Sequence, residues 1–250
     1  GGSLTFAAMA GLVALASIPV ILTKEPKGRA AAASEESPRP PHFFRRKGAV
    51  GILVLVVVYK AGDAFATGML RPFLVDAGLG MTDIGWLLGT VGFIAGMLGA
   101  LAGGSLVNRV GRKASLILFG GFQALTVLGY AALSLMDSMP PLFLYTACGL
   151  EHFAGGMATA ALFTCMMDWS RPEYAATDYT VQASAVVFGS GMASLLSGFS
   201  AQAIGYFAHF SAAALLALMS LLVVAFCFPS KPAELGAGSL PHDELAEETR

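Results

Sequence analysis

Gly104-Ser105-Leu106-Val107-Asn108-Arg109-Val110-Gly111-Arg112-Lys113 places three cations in a short loop. On either side the chain is free of acidic and basic side chains, from Ile84 to Asn108 and from Ala114 to Met136. Each flank is long enough to cross about 30 Å of hydrocarbon as a helix, which takes roughly 20 apolar residues. Two spans joined by a basic turn make a helical hairpin with its turn at a membrane face.

Reading outward from this hairpin gives five more spans. Residues 4–22 carry no charge and form the first, with Pro19 as a bend. Residues 49 to about 72 form the second, the hairpin is the third (83–107) and fourth (114–136), and 141–167 is the fifth. Tyr179 to Ser230 contains no Asp, Glu, Lys or Arg. As one helix it would be roughly 78 Å long at 1.5 Å per residue, more than twice the hydrocarbon thickness. It therefore folds back, with Gly205 as the expected corner, giving spans 177–203 and 207–228. Nothing alternates in the way a transmembrane β-barrel requires. The fold class is an all-α polytopic membrane helix bundle.

Composition agrees. Of 250 residues, 56% are hydrophobic and 12% charged, with a mean hydropathy of +0.69. Soluble domains carry about 25% charged residues, so the partner of this surface is a lipid bilayer. A net charge of −1 excludes the basic excess of a nucleic-acid binder. Cys148, Cys165 and Cys227 are widely separated in apolar runs and His42, His152, His209 and His242 are scattered. That pattern supplies neither a disulfide framework nor a metal site, and no cofactor motif is visible.

Positive charge is one-sided. All but two of the 15 Lys and Arg lie in 23–48, in the 109–113 turn, at Arg171, or in the tail at Lys231 and Arg250. The exceptions are Lys60 and Arg71, in or at the edge of the second span. By the positive-inside rule the basic linker 23–48 and the C-terminus face the cytoplasm and the N-terminus faces out. Residues 4–22 lack the basic n-region of a signal peptide and read as a true span. An odd span count and a start at Gly1 are what a cut through a larger protein produces; a natural seven-helix protein is the alternative. A retinal protein needs a lysine in its last helix, and 207–228 has none.

The stretch Gly104 to Lys113 resembles the signature loop of the major facilitator superfamily, Gly-x-x-x-Asp-Arg-x-Gly-Arg-Arg. The matching positions are Gly104, Asn108, Arg109, Gly111, Arg112 and Lys113, with Asn108 standing where the family has an acid. In the family this loop follows helix two and again helix eight. The resemblance implies that the seven spans are helices six to twelve: helix six at 1–22, a cytoplasmic linker at 23–48, a six-helix C-terminal bundle at 49–229 and a disordered tail at 230–250. It implies as partner a missing N-terminal six-helix half.

Three further stretches are Tyr59-Lys60-Ala61-Gly62-Asp63-Ala64, Met69-Leu70-Arg71-Pro72 through Asp83-Ile84-Gly85-Trp86 to Gly92, and Ser170-Arg171-Pro172-Glu173 through Thr177-Asp178 to Gln182. They resemble AmpG-like muropeptide permeases, and more particularly the RhtX/FptX siderophore permeases. The resemblance implies alternating-access import of a siderophore-like small solute across the bacterial inner membrane, with a muropeptide as the alternative cargo.

Candidate pathway residues stand out as polar groups in apolar spans. Lys60 and Asp63 are three apart on one helical face, and Glu151 and His152 sit mid-span. A charge at the bilayer centre costs about 2.5–3.5 kcal/mol on insertion scales and generally faces a cavity or a partner. Asp63 or Glu151 is the expected proton-coupling carboxylate, with Lys60 as counter-charge. Arg71 marks the outer mouth, and Gln123 and Gln182 are hydrogen-bonding candidates within spans four and six. Thr82-Asp83 and Thr177-Asp178 read as helix-start pairs. Glycines 85, 89, 92, 96, 99 and 103 draw a bare stripe for close helix packing. Trp86 and Trp169 read as interfacial anchors.

No phosphate-binding loop is present, so an ATP-driven subunit is not expected in this chain. Nothing forms a catalytic constellation, and the chain is not expected to be an enzyme. The competing class is a non-transporting seven-helix membrane protein.

Overall fold

Residues 2–22, 43–45, 48–136 and 138–229 are described by a computed structural model. Within them the chain is helical, with turns and no strand. Most of the linker 23–48, all of the tail beyond Pro229 and Asp137 lie outside the described residues. Helix α1 (Gly2–Leu22) is uncharged, contains Pro19, and belongs to a unit of its own, Gly1–His42.

The second unit begins at Phe43 and contains the bundle. Its elements are α2 (Ala49–Asp76), α3 (Met81–Val110), α4 (Arg112–Leu133), α5 (Pro141–Trp169) and α6 (Ala175–Cys227). All but α5 are long and apolar enough to cross a membrane. α5 is 29 residues long, but Glu151, His152 and paired glycines dilute its apolar character. Its flanks, α4 and α6, are apolar spans, so α5 crosses with them.

Local chemistry sets the breaks. α2 is interrupted at Met69, just ahead of Pro72. Proline lacks an N–H and its ring crowds the preceding turn, which loosens a helix there. α3 contains a wide π turn at Leu87–Gly92.

Two corners rest on glycine. Gly111 (φ 91°, ψ 151°) turns α3 into α4, and Gly205 (φ 76°, ψ 167°) interrupts α6. Both angles lie in a region that is essentially glycine-only. The reversal expected at Gly205 is real. Along the arm 175–204, Val57 meets Gly189 and Gly68 meets Ser197, so this arm runs parallel to α2. Along 206–227, His209 reaches the Phe65 carbonyl (3.1 Å) and Gly62 meets Ala217, so the second arm runs back. α6 is therefore two spans clasping α2.

α3 lies along α5 through its glycines. A Cβ on Gly99 or Gly103 would fall on the backbone of Phe153 or Met157. Only the inner part of the stripe packs in this way; Gly85 and Gly89 face open space. α4 runs antiparallel to α5, with Arg112 near Asp168 and Tyr130 near Glu151. Strict alternation brings the 108–113 turn, Arg171 and the end of α6 to one face of the bundle.

Two apolar cores result. One, at the basic end, gathers Phe43, Tyr59, Leu116, Met166, Trp169 and Val224. The other, at the opposite end, gathers Phe73, Tyr130, Leu144 and Phe210. Phe43, a residue of the expected linker, is buried in the first of these cores. Trp169 is buried against Phe228 and is not a lipid-facing anchor, whereas Trp86 is exposed. Elsewhere the outside is apolar: Phe188, Leu195, Phe199, Leu215 and Phe226 are all exposed, a surface that only lipid or protein solvates favourably. The chain is a multi-pass membrane protein.

Candidate functional site

Between the two cores the helices part around a cavity of about 600 Å³. α2 contributes Lys60, Asp63 and Thr67, α5 contributes Glu151, His152 and Thr159, and α3 supplies a wall that includes Gly92, Phe93 and Gly96. Lys60 and Asp63, one turn apart, pair directly, and the ammonium also donates to Thr159 Oγ1 at 3.1 Å. Both side chains keep some exposure, 14% and 18%. They face the space and are not sealed into helix packing.

Opposite them, Glu151 is 2% exposed. Its Oε2 accepts from the Tyr130 hydroxyl at 3.2 Å and lies 3.0 Å from His152 Nδ1. The same Nδ1 is 3.0 Å from the Cys148 carbonyl. A carbonyl only accepts, so Nδ1 carries the proton. Nε2 then faces α3 at Gly92, where a Cβ would come within 2.8 Å of it. The last glycine of the π turn makes room for the imidazole.

The structure brings Lys60, Asp63, Glu151 and His152 around one space and places Gln123 just behind its wall. Gln123 is 4% exposed, and its Nε2 has no partner. Two other candidates lie elsewhere. Arg71 is exposed in a separate groove of about 580 Å³ with Asp76, Met81 and Gly89. Gln182 is buried at the basic end, where its Nε2 donates to the Met166 carbonyl (3.2 Å) and Ser170 Oγ (3.1 Å). It ties two helices together and does not touch the cavity.

The signature loop forms a network of its own. Arg112 donates to Asn108 Oδ1 at 2.6 Å and to Asp168 Oδ2 at 2.5 Å, and Lys113 donates to the Ala225 carbonyl at 2.7 Å. Asn108 cannot supply the family's charge, and Asp168, at the end of α5, supplies a carboxylate instead. Gly104 and Arg109 stay at the surface side of the loop. Thr177 makes no cap, since α6 already starts at Ala175, while Asp178 stands in its first turn. It is fully buried and holds Arg171 through two 2.8 Å bonds. Thr82 likewise makes no cap: Gly80 precedes the helix, and Asp83 sits in the first turn.

Sequence reasoning missed Tyr130, Thr159, Thr67 and Asp168. Each is an ordinary residue in its own helix, and its meaning depends on the neighbouring one.

The bundle combines an apolar exterior with a cavity lined by charged side chains. Among protein families the chain belongs to the Major Facilitator Superfamily, whose model matches residues 1–150 and 61–243. It is 31% identical over 188 residues to the anhydromuropeptide permease of Escherichia coli K12, covering 73% of this chain and 38% of that protein. It is also 31% identical over 198 residues to an uncharacterized protein of Haemophilus influenzae, covering 76% of this chain and 47% of the relative. A Rickettsia conorii relative called AmpG 4 is 30% identical over 186 residues, covering 74% and 44%. The chain thus spans less than half the length of the curated relatives it matches. These relatives support AmpG-like permeases; none of the three carries the siderophore name that the sequence favoured.

Proposed function

We propose that this segment forms the C-terminal side of a proton-coupled permease that imports an anhydromuropeptide-like sugar–peptide by alternating access. The observation that carries this reading is the cavity in which the Lys60–Asp63 pair faces Glu151 and His152. An amphiphilic glycopeptide offers carboxylates, amides and hydroxyls, and these side chains supply the complementary cation, acceptors and donors. Thr67 and Thr159 add hydroxyls, while Phe93, Met97 and Ala100 offer an apolar wall.

Coupling needs a carboxylate that is stable both protonated and ionised. Asp63 and Glu151 are the two carboxylates on the cavity wall, Asp63 paired with Lys60 and Glu151 accepting from Tyr130. In this reading the bundle is helices seven to twelve and α1 is helix six. The basic face lies on the cytoplasmic side of a bacterial inner membrane, with 23–48 and 230–250 there too. The opposing wall of the pathway comes from the N-terminal six-helix half.

Uptake into energised membrane vesicles tests the reading. Labelled anhydromuropeptide is expected to accumulate, and collapse of the proton gradient is expected to stop it. A ferric siderophore offered in parallel is expected to stay outside. Accumulation of the siderophore alone would overturn the cargo assignment, and accumulation indifferent to the gradient would overturn the coupling.

A further inference from the structure

Gln123 stands just behind the cavity wall with an unsatisfied side chain. Its carboxamide is buried on α4, yet Nε2 finds no acceptor. A buried donor without a partner costs about 1–3 kcal/mol, and native structures hold few such groups. The amide also points somewhere definite. A Cβ built on Gly155 would lie 3.0 Å from Gln123 Nε2 and 3.8 Å from Glu151 Oε1. The orphan donor and a carboxylate oxygen therefore flank the same bare position on the cavity wall. The other oxygen, Oε2, is the one engaged by Tyr130 and His152.

We propose that Gln123 is the positioning partner Glu151 takes when it gives up its proton, its amide swinging past bare Gly155 to donate to Oε1. This rests on the transport reading above. In this structure the amide is unpaired. Once ionised, the carboxylate has one oxygen held by Tyr130 and His152 and one to be met. A hydrogen bond to a charged group is worth about 1.5–3 kcal/mol, and the unpaired Gln123 amide flanks the same glycine as that oxygen. The amide gives a hydrogen bond and exchanges no proton. The ionisable groups around Glu151 are Tyr130 on α4, Cys148 and His152 on α5, and Lys60 and Asp63 across the cavity on α2. The stretch of α3 lining the cavity contributes none. Gly155 is the passage between the two groups, so its missing side chain is part of the device.

Transport separates this role from plain packing. Net uptake requires the empty carrier to return with its proton released, whereas exchange of internal for external solute does not. In vesicles bearing the protein as its gene encodes it, Gln123→Leu is expected to lower net uptake of labelled anhydromuropeptide about tenfold or more while exchange stays within about twofold. Gly155→Ala, which fills the passage, is expected to do the same. Gly149→Ala, on the same helix with no atom within 4 Å of its added Cβ, is expected to change neither. Equal losses in uptake and exchange for both variants, or no loss in either, would overturn the proposal. If Glu151→Gln loses net uptake but the Gln123 and Gly155 variants do not, the transport reading stands and this inference falls. If Glu151→Gln transports normally, both fall.

Discussion

The middle of the bundle and its basic end both contain paired acids and cations, but they are built in opposite ways. At the end, Arg171 meets Asp178 with two 2.8 Å bonds, and its guanidinium lies 4.7 Å from the Tyr174 ring centre. Arg112 is similarly held by Asp168 and Asn108. These charges are bound to one another across helix ends. In the middle, Lys60, Asp63, Glu151 and His152 surround about 600 Å³ of space, and Gln123 keeps an unspent donor. Satisfied pairs fasten. Charges set around a space can trade partners as a solute or proton arrives.

If that contrast is correct, mutations in the two places will differ in kind. The largest effect is expected in the middle. Asp63→Asn together with Glu151→Gln should reduce gradient-driven uptake by about 100-fold or more, the general acid–base scale for a lost proton-handling group. The amount of protein in the membrane should be unchanged, as read by immunoblot beside the uptake assay. Next is Asp178→Asn at the basic end. Arg171, whose side chain is 24% exposed, would lose the fully buried carboxylate that holds it, which should cost about 1.5–3 kcal/mol, seen as loss of folded protein and a lower Tm in detergent.

Third, Gly99→Ala drives a Cβ onto the Phe153 backbone and should cost about 1–3 kcal/mol from overpacking. Gly85→Ala, with open space around it, should be near neutral in the same melting assay. The smallest effect is expected for Asp168→Asn. Its pair with Arg112 is partly exposed, 33% and 40%, and such pairs are worth about 0–1 kcal/mol. Its Tm should fall by a few degrees at most, with uptake retained.

Much of the architecture was legible in the sequence, for identifiable reasons. A charge-free run from Tyr179 to Ser230 cannot span a bilayer once, so a reversal was compelled, and glycine is the residue that permits it. The basic loop at 109–113 was readable because lipid makes each charge conspicuous. The same rule exposed Lys60, Asp63, Glu151 and His152 as outliers.

What stayed hidden is which way each helix faces. In a soluble helix the polar face reports rotation. Here the lipid face and the packed face are both apolar, so periodicity carries little information about partners. Hence Tyr130 and Thr159 gave no signal, although they hold Glu151 and Lys60. Hence, too, Arg71 and Gln182, polar residues within or beside spans like the others, proved to lie in a separate groove and at the basic end. Trp169 followed the interfacial pattern by position but is rotated into the core. Asp178 was ambiguous for another reason. An acid near a helix start reads as dipole complement, and only the fold shows Arg171 reaching it.

The central claim is that the charged centre is a solute pathway and not a sealed polar knot. Thr159, which accepts from Lys60 on the cavity wall, allows the most direct test. Cysteine is placed there after the native Cys148, Cys165 and Cys227 are replaced, and labelling by a small membrane-impermeant thiol reagent is followed with and without anhydromuropeptide. A water-filled pathway predicts that Thr159→Cys labels readily and that solute protects it. A cysteine that never labels in transport-competent protein, or one that labels equally with saturating solute present, would contradict it.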